Sequence, residues 1–319
     1  MNSLSKESAT WHEIGAAAEG QRVDNYLVRL LKGVPKSHVY RMVRGGEVRV
    51  NSRRVGPDHR LQAGDRVRIP PVRVARAADT PKLPPGRKAE LQVLYEDEVL
   101  LAINKPPGTA VHGGSGISHG VIEQLRHERP AAPFLELVHR LDRDTSGVLL
   151  LAKKRSALVA LHAQMRSGST HKYYLTLVHG RWTNARQKVD LPLHKYTLPT
   201  GERRVKVSAE GAASTTIFRV KSPRPGYTLL EAELKTGRTH QIRVHLAHLG
   251  YPIAGDDKYG DYELNKALAK AGLKRMFLHA CRLVIHHPVT SKALLLEAPL
   301  PADLATFLNR IEVPLAATV

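Results

Sequence analysis

The sequence has one cysteine, Cys281, so neither an intrachain disulfide nor a multi-cysteine zinc site can form. That economy suits a reducing compartment, and a cytoplasmic location is expected. Long apolar runs are missing too. No stretch approaches the roughly 18 residues that would span a bilayer, and there is no long basic amphipathic helix, so no membrane partner is expected. The N-terminus, "MNSLSKESATWHEIG", lacks the apolar core of a signal peptide. The phosphate loop Gly-x-x-x-x-Gly-Lys-Ser/Thr and the dinucleotide fingerprint Gly-x-Gly-x-x-Gly are both absent. "GGSGI" around Ser115 misses the last position of a nucleophile elbow. Acid is scarce as well: 29 Asp and Glu stand against 49 Lys and Arg, a net charge of +20, with a pI near 10.2.

Such a surplus implies a polyanionic partner, and nucleic acid fits best; simple solubility is the alternative. Hydrophobic content of 42% predicts a largely globular chain, and 319 residues are enough for more than one domain. Seventeen histidines raise the question of a metal. In "HQIRVHLAHLG", however, His240, His245 and His248 have no intervening Glu in an H-E-x-x-H pattern and no cysteine support, so no metal is expected.

Residues 1–19 read as a flexible N-terminus. Residues 20–76 read as a small basic domain. Val23, Leu27, Leu30 and Leu31 recur at helical spacing, and Gly33 then stops the helix. Pro35 suits the first turn of a second helix, whose apolar side is Val39, Met42 and Val43 and which ends at Gly45-Gly46. "EVRV" and "DRVRI" alternate as half-buried strands do. Between Gly20 and Arg76, fourteen Lys and Arg face four Asp and Glu, a net +10 that is half the charge of the whole chain. Helix, helix and small sheet with dense arginines resembles the S4 (αL) RNA-binding domain; an idle basic cap is the alternative. Lys36, Arg41, Arg44, Arg53 and Arg54 are its candidate RNA contacts. Residues 77–90 belong to a Pro-rich stretch that reads as a semi-rigid linker.

From 91 to 319 the pattern changes to many short strand-like runs, among them "LQVLYEDEVLLAINKP", "SGVLLLAKK", "KYYLTLVHG", "YTLLEAELKTG" and "ALLLEAP". Helices are expected near 154–167, 240–249, 262–271 and 302–311. The predicted class is α+β, with a mainly antiparallel mixed sheet.

Within "FLELVHRLDRDTSGVLLLAKK", Asp142 lies just before a buried strand, where Gly147 lets the backbone turn. A buried carboxylate needs a partner, and on this local pattern alone a salt-bridged loop residue is the better reading of Asp142. A second segment, "LKTGRTHQIRVHLAHLGYPIAGDDKYGD", predicts a helix capped by Thr239 with Ile242, Leu246 and Leu249 on its apolar side. Arg243 then falls in the first turn, a fixed cation that could hold a carboxylate ionised. In "HKYYLTLVHG", Tyr173 and Tyr174 point to opposite faces of a strand, so one can enter the core and the other line a cleft.

"HRLDRDTSG", "KYYLTLVHG" and "GRTHQIRVH", in that order after an S4-like domain and "NKPPGTAVHGG", resemble the RluA family of pseudouridine synthases over roughly residues 20–300. The resemblance implies an isomerase that converts uridine to pseudouridine in large-subunit ribosomal RNA, with no cofactor. It implies that Asp142 is the catalytic aspartate, whereas Asp144 falls at a variable motif position. By the same resemblance Tyr174 packs on the target base, Arg243 pairs with Asp142, and Arg140 reaches into the gap left by a flipped base. Arg238 and His139 lie in the same motifs and are expected near the substrate. The protein is expected to act as a monomer. Two rival readings remain. A non-catalytic RNA-binding factor leaves the carboxylate, tyrosine and arginine in family order without a purpose. A methyltransferase should carry a Gly-rich cofactor loop, and none is present.

Overall fold

The computed structural model describes residues 8–31, 34, 36–72, 90–113 and 120–311, without the side chains of Ala17 and Lys36. The chain divides into two compact units, Met1–Arg87 and Lys88–Val319. The stretch expected as a linker, 77–90, lies outside the described residues apart from Glu90.

The first unit contains β1 (Thr10–Glu13), α1 (Val23–Leu30), α2 (Lys36–Arg44), β2 (Arg49–Val50), β3 (Arg53–Arg54) and β4 (Arg66–Ile69). Its antiparallel sheet has the order β1-β4-β2-β3. Val23 and Leu27 of the first helix, Leu31 just past its end, and Val39, Met42 and Val43 of the second pack against Val50, Val67 and Ile69 of the sheet. Asp24 joins the two helices: it is 2% exposed, takes a fork from Arg22 and accepts from the Tyr40 hydroxyl at 2.9 Å. Burial opposes its charge, but Arg22 and then Tyr40 outweigh that and hold the carboxyl below its usual range. The expected loose start through Glu19 needs correction. Thr10–Glu13 is strand β1, paired residue for residue with β4, and Ile14 is 2% exposed. Pro35 and Gly33, expected to punctuate the helices, lie outside the described residues.

The second unit runs β5 (Gln92–Glu96), β6 (Leu100–Lys105), α3 (Val121–Glu128), β7 (Glu136–Leu137), β8 (Ser146–Ala152), α4 (Arg155–Ser167), β9 (His171–His179), β10 (Arg186–Asp190), β11 (Leu193–Thr197), β12 (Arg203–Val207), β13 (Thr215–Arg224), β14 (Tyr227–Leu234), α5 (Gln241–His248), α6 (Tyr262–Lys270), β15 (Leu278–His286), β16 (Ala293–Glu297) and α7 (Ala302–Arg310). The large sheet has the order β10-β13-β14-β9-β15-β8-β6-β5, with β16 beside β15 and β7 beside β8, while β11 and β12 form a separate hairpin. Every strand pair is antiparallel except β15 with β8, so the unit is a mainly antiparallel α+β fold.

Alternation along β8 sends Leu149 and Leu151 to one face, with α3, α5, α6 and α7. Val148, Leu150 and Ala152 go to the other, with Ala157 and Leu161 of α4. All seven residues of β8 are therefore buried, which is why the segment reads as an unbroken apolar run. Four helices lie within a residue of expectation. Helix α3 was not expected, because eight residues after a Gly-Ser-Gly stretch give little periodicity.

Candidate active site

Strand β8 fixes the loop that carries Asp142. Gly147 has φ 112°, and a Cβ there would lie 2.2 Å from the carbonyl oxygen of Ala280. Only glycine lets the start of β8 run this close to β15. Upstream, the Val138 N–H donates to the Leu150 carbonyl, and the Leu150 N–H donates to Nε2 of His139 at 3.1 Å. Burial first, and Lys172 second, push His139 down to about 4, consistent with a neutral ring accepting at Nε2. His139 borders the cavity, but its ring holds the loop rather than offering that nitrogen to a ligand.

Lys105, in "NKPPG", is wholly buried. Its ammonium donates to the carbonyls of Pro106, Thr109 and Arg143 at 2.8, 2.8 and 2.9 Å. Burial pushes it down to about 7, against the pull of Asp144 and Asp142. Three donors meet three acceptors, so Lys105 ties the 106–109 turn to the backbone one residue past Asp142.

On the facing side, α5 is buried from Gln241 to Leu246. Thr239 does not cap it. The N-cap is His240, at φ 54° and ψ 20°, with no side-chain cap bond. The Gln241 amide instead accepts from the Arg238 N–H and the Thr236 hydroxyl and donates to the Thr215 carbonyl. Arg243 faces Asp142 as expected, but a second carboxylate holds it more tightly. Its fork closes on Asp256 at 2.8 and 2.7 Å, and Asp142 Oδ2 lies at the longer distance of 3.5 Å from Nη1. Burial works against the Arg243 charge, but Asp256 foremost, with Asp142, raises its pKa. Asp256 is 1% exposed and also accepts the N–H groups of Lys258 and Tyr259. The carboxylate at Asp142 keeps 29% of its side chain exposed, so it is the one that faces the cavity.

Tyr259 packs its ring under the Arg243 guanidinium at 5.1 Å. Its hydroxyl accepts the Val205 N–H and lies 2.7 Å from His240 Nδ1. The hydroxyl has one proton to give, and Nδ1 of a neutral His240 ring is the acceptor in reach. Burial lowers the His240 pKa, and a neutral ring then carries its proton on Nε2, 3.9 Å from Asp142 Oδ2. A non-glycine residue in the left-handed region costs about 1–3 kcal/mol, and here it aims an imidazole at the carboxylate.

Tyr174, on β9, is 7% exposed. Burial, then Asp142, raises its pKa and keeps the hydroxyl protonated. Tyr173 faces the other side of the sheet, under the Arg282 guanidinium at 4.2 Å. Asp142, Tyr174, Arg243, Arg140, Arg238 and His139 all border a cavity of about 540 Å³, together with Lys172, a size suited to one nucleoside. A second hollow of about 400 Å³ also borders Asp142 and Arg140. Arg140 is exposed, and its side chain has no hydrogen bond or ion pair with a described residue. Arg238 donates from Nε to the Ala213 carbonyl. Asp144 pairs with Arg143 and borders the second hollow, not the 540 Å³ cavity.

Sequence reasoning missed Asp256, His240, Tyr259, Lys105 and Lys172 as members of this constellation. The signals were the paired acids and tyrosine of "GDDKYG" and a lysine before a double proline. In the N-terminal unit, Arg41, Arg44, Arg53 and Arg54 are exposed, while the side chain of Lys36 lies outside the described residues. Among the described residues, no three His, Cys, Asp or Glu form a metal-binding group, and no helix is long and apolar enough to cross a membrane.

The family model for RNA pseudouridylate synthase matches residues 99–248, and that for the S4 domain matches residues 21–67. Ribosomal large subunit pseudouridine synthase C of Escherichia coli (strain K12) is 53% identical over 303 residues, covering 93% of this chain and 95% of that protein. The protein of the same name from Pasteurella multocida (strain Pm70) is 52% identical over 295 residues, covering 92% and 90%. Among solved structures, human RNA pseudouridylate synthase domain containing 4 superposes with a TM-score of 0.57 at 27% identity, covering 69% of this chain and 92% of that one.

Proposed function

The chain belongs to the RNA pseudouridylate synthase family, and on that premise we propose that it isomerises uridine to pseudouridine at specific positions of large-subunit ribosomal RNA, with Asp142 as the catalytic carboxylate. One observation carries the assignment. Asp142 is the carboxylate that opens onto the 540 Å³ cavity while facing the buried Arg243 at 3.5 Å. Asp256 is enclosed, and Asp144 is turned to Arg143.

The reaction breaks the N1–C1′ bond, rotates the uracil and forms a C5–C1′ bond; C5 loses a proton and N1 gains one. Nothing is oxidised or reduced, so no cofactor is required. Asp142 either attacks C1′ or takes the proton from C2′, and both routes need an anion within reach of the ribose. Arg243, pinned by Asp256, presents Asp142 with a fixed cation. His240 presents Nε2–H to the same oxygen, its tautomer set by Tyr259. Contacts of 3.5 and 3.9 Å can shorten once substrate excludes water. Tyr174 offers a flat face to the uracil and, being protonated, can donate a hydrogen bond. Extracting the base costs a few kcal/mol of stacking, and Arg140, whose side chain has no partner among the described residues, fills the gap and offsets part of that. Arg238 and Lys172 contact the phosphates or the base edge at the cavity wall.

The N-terminal unit, 20–76, acts as the RNA-orienting domain through Arg41, Arg44, Arg53, Arg54 and Lys36, and 77–90 as its linker. The acting form is a monomer in the cytoplasm, where the ribosomal substrate of the relatives named above supports placing it. Carbodiimide mapping of large-subunit RNA from cells lacking the protein tests the reading. Pseudouridines should disappear at discrete positions, and transcripts treated with the protein should regain them without a change in mass. A complete pseudouridine pattern in the deletion strain would refute it.

A further inference from the structure

The outer face of the N-terminal sheet carries a feature separate from the arginines of α2. Register places Trp11 beside Arg68, Arg68 beside Arg49 and Arg49 beside Arg54, one residue from each of the four strands in a single row. With strands about 4.8 Å apart, the row is about 14 Å long. Its other side is the core, through Val50, Val67 and Ile69, so this row must face outward. Trp11 is 44% exposed, and the Arg66 guanidinium lies over its ring at 5.3 Å.

Three of the guanidinium groups are held by backbone. Arg54 donates to the Gly45 carbonyl and Arg68 to the Glu47 carbonyl, both at 2.8 Å, and Arg49 reaches the Gly46 carbonyl at 3.5 Å. These carbonyls are the exit of α2, so the cations are fixed in place while most of their donors stay open. None of Arg49, Arg54, Arg66 and Arg68 makes an ion pair with a described carboxylate. Glu13, opposite Arg66, is the one acid on β1 that shares their face. A large exposed aromatic beside ordered cations combines the two elements that hold a single-stranded nucleic acid: a stacking platform and a phosphate track.

We propose that this sheet face binds single-stranded RNA, a base stacking on Trp11 and phosphates running along Arg66, Arg68, Arg49 and Arg54. The inference rests on RNA being the substrate but not on the catalytic assignment. The protein has two tryptophans; the other, Trp182, is 5% exposed and emits too, but it is shielded from direct stacking, so the quench that Trp11→Phe removes reports on Trp11. The full chain is titrated with a labelled uridine decamer, following label anisotropy and tryptophan emission together at several salt concentrations, with isomerisation of ribosomal RNA assayed in parallel. The decamer should quench wild-type emission, and Trp11→Phe should abolish the quench. Trp11→Leu should weaken binding about tenfold. Arg66→Gln, at a side chain without a hydrogen bond, and Arg49→Gln should each flatten the slope of log affinity against log salt by about 0.7.

Binding by anisotropy with unchanged emission and unchanged slopes would overturn the proposal. So would an equal quench by heparin, which has charge but no bases, or better competition by polyglutamate, which would indicate a protein partner. Isomerisation without quenching would remove this surface and leave the enzyme reading; quenching without isomerisation would do the reverse.

Discussion

Replacing Asp256 by Asn tests how the arginine of the site is held. Oδ1 of Asp256 accepts from Arg243 Nη2 and from the N–H groups of Lys258 and Tyr259, and Oδ2 accepts from Arg243 Nε. An asparagine must keep its oxygen where three donors converge. Its NH2 then falls at the Oδ2 position and faces the Arg243 Nε–H, donor against donor, 2.8 Å away in the native geometry. The Arg243 side chain, 6% exposed, also loses its main counter-charge. Breaking a buried pair by removing one partner costs about 3–5 kcal/mol. In a unit of this size that lowers Tm by roughly 6–20 °C. At temperatures where the variant is still folded, the unpinned guanidinium turns toward Asp142, and kcat should fall at least about tenfold, because the cation no longer holds the geometry the carboxylate needs. Calorimetry and single-turnover rates at low temperature check both parts. Asp257→Asn is the control: its carboxylate lies 3.8 Å from Arg243 but is 79% exposed, so the change should stay within about 0.5 kcal/mol. A drop of less than about 2 °C for Asp256→Asn, or equal effects at both positions, would refute the argument.

Gly147→Ala forces a Cβ into the Ala280 carbonyl, 2.2 Å away, at a φ that alanine avoids. It should cost about 3 kcal/mol in a urea melt and displace the Asp142 loop. His240→Gln, which still reaches with an N–H, should keep more activity than His240→Asn, which tolerates the left-handed backbone but is too short; steady-state rates at matched stability decide, and the reverse order would make the backbone the important feature. Acid should destabilise the protein in a defined window. Burial disfavours the charges of Asp97 and Glu233, but their hydrogen-bond partners outweigh it and hold both at about 2. Their folded values lie below the ordinary ones of 3.8 and 4.5, so the stability they contribute is present above about 4.5 and lost as pH falls toward about 2. Urea melts across that range should show the loss.

What the sequence carried was local. The helices of the basic unit and α4 to α7 follow from apolar spacing, and the buried run of β8 announces itself. Partners set by long-range return did not show. Strand β1 pairs with residues more than fifty positions away, and a lone Trp in a polar start gives no alternation to read. The resemblance pairs Arg243 with Asp142, and that contact is present at 3.5 Å, but the tightest partner, Asp256, comes from the loop after its own helix, a turn whose direction nothing local specifies. The carbonyl cage of Lys105 draws one of its three acceptors from Arg143, so the lysine looks like part of a turn until the chain closes. The choice between Tyr173 and Tyr174 depended on which face of the sheet the site occupies, and strand parity alone leaves that open.

The central assignment is best tested by comparing two neighbouring aspartates. Asp142→Asn and Asp144→Ala are assayed on a large-subunit RNA transcript by carbodiimide mapping, with RNA affinity measured for each. The account predicts no detectable pseudouridine with Asp142→Asn at an affinity within about twofold of wild type, and clear activity with Asp144→Ala, whose carboxylate is turned to Arg143. An active Asp142→Asn variant, or an inactive Asp144→Ala variant beside it, would contradict it.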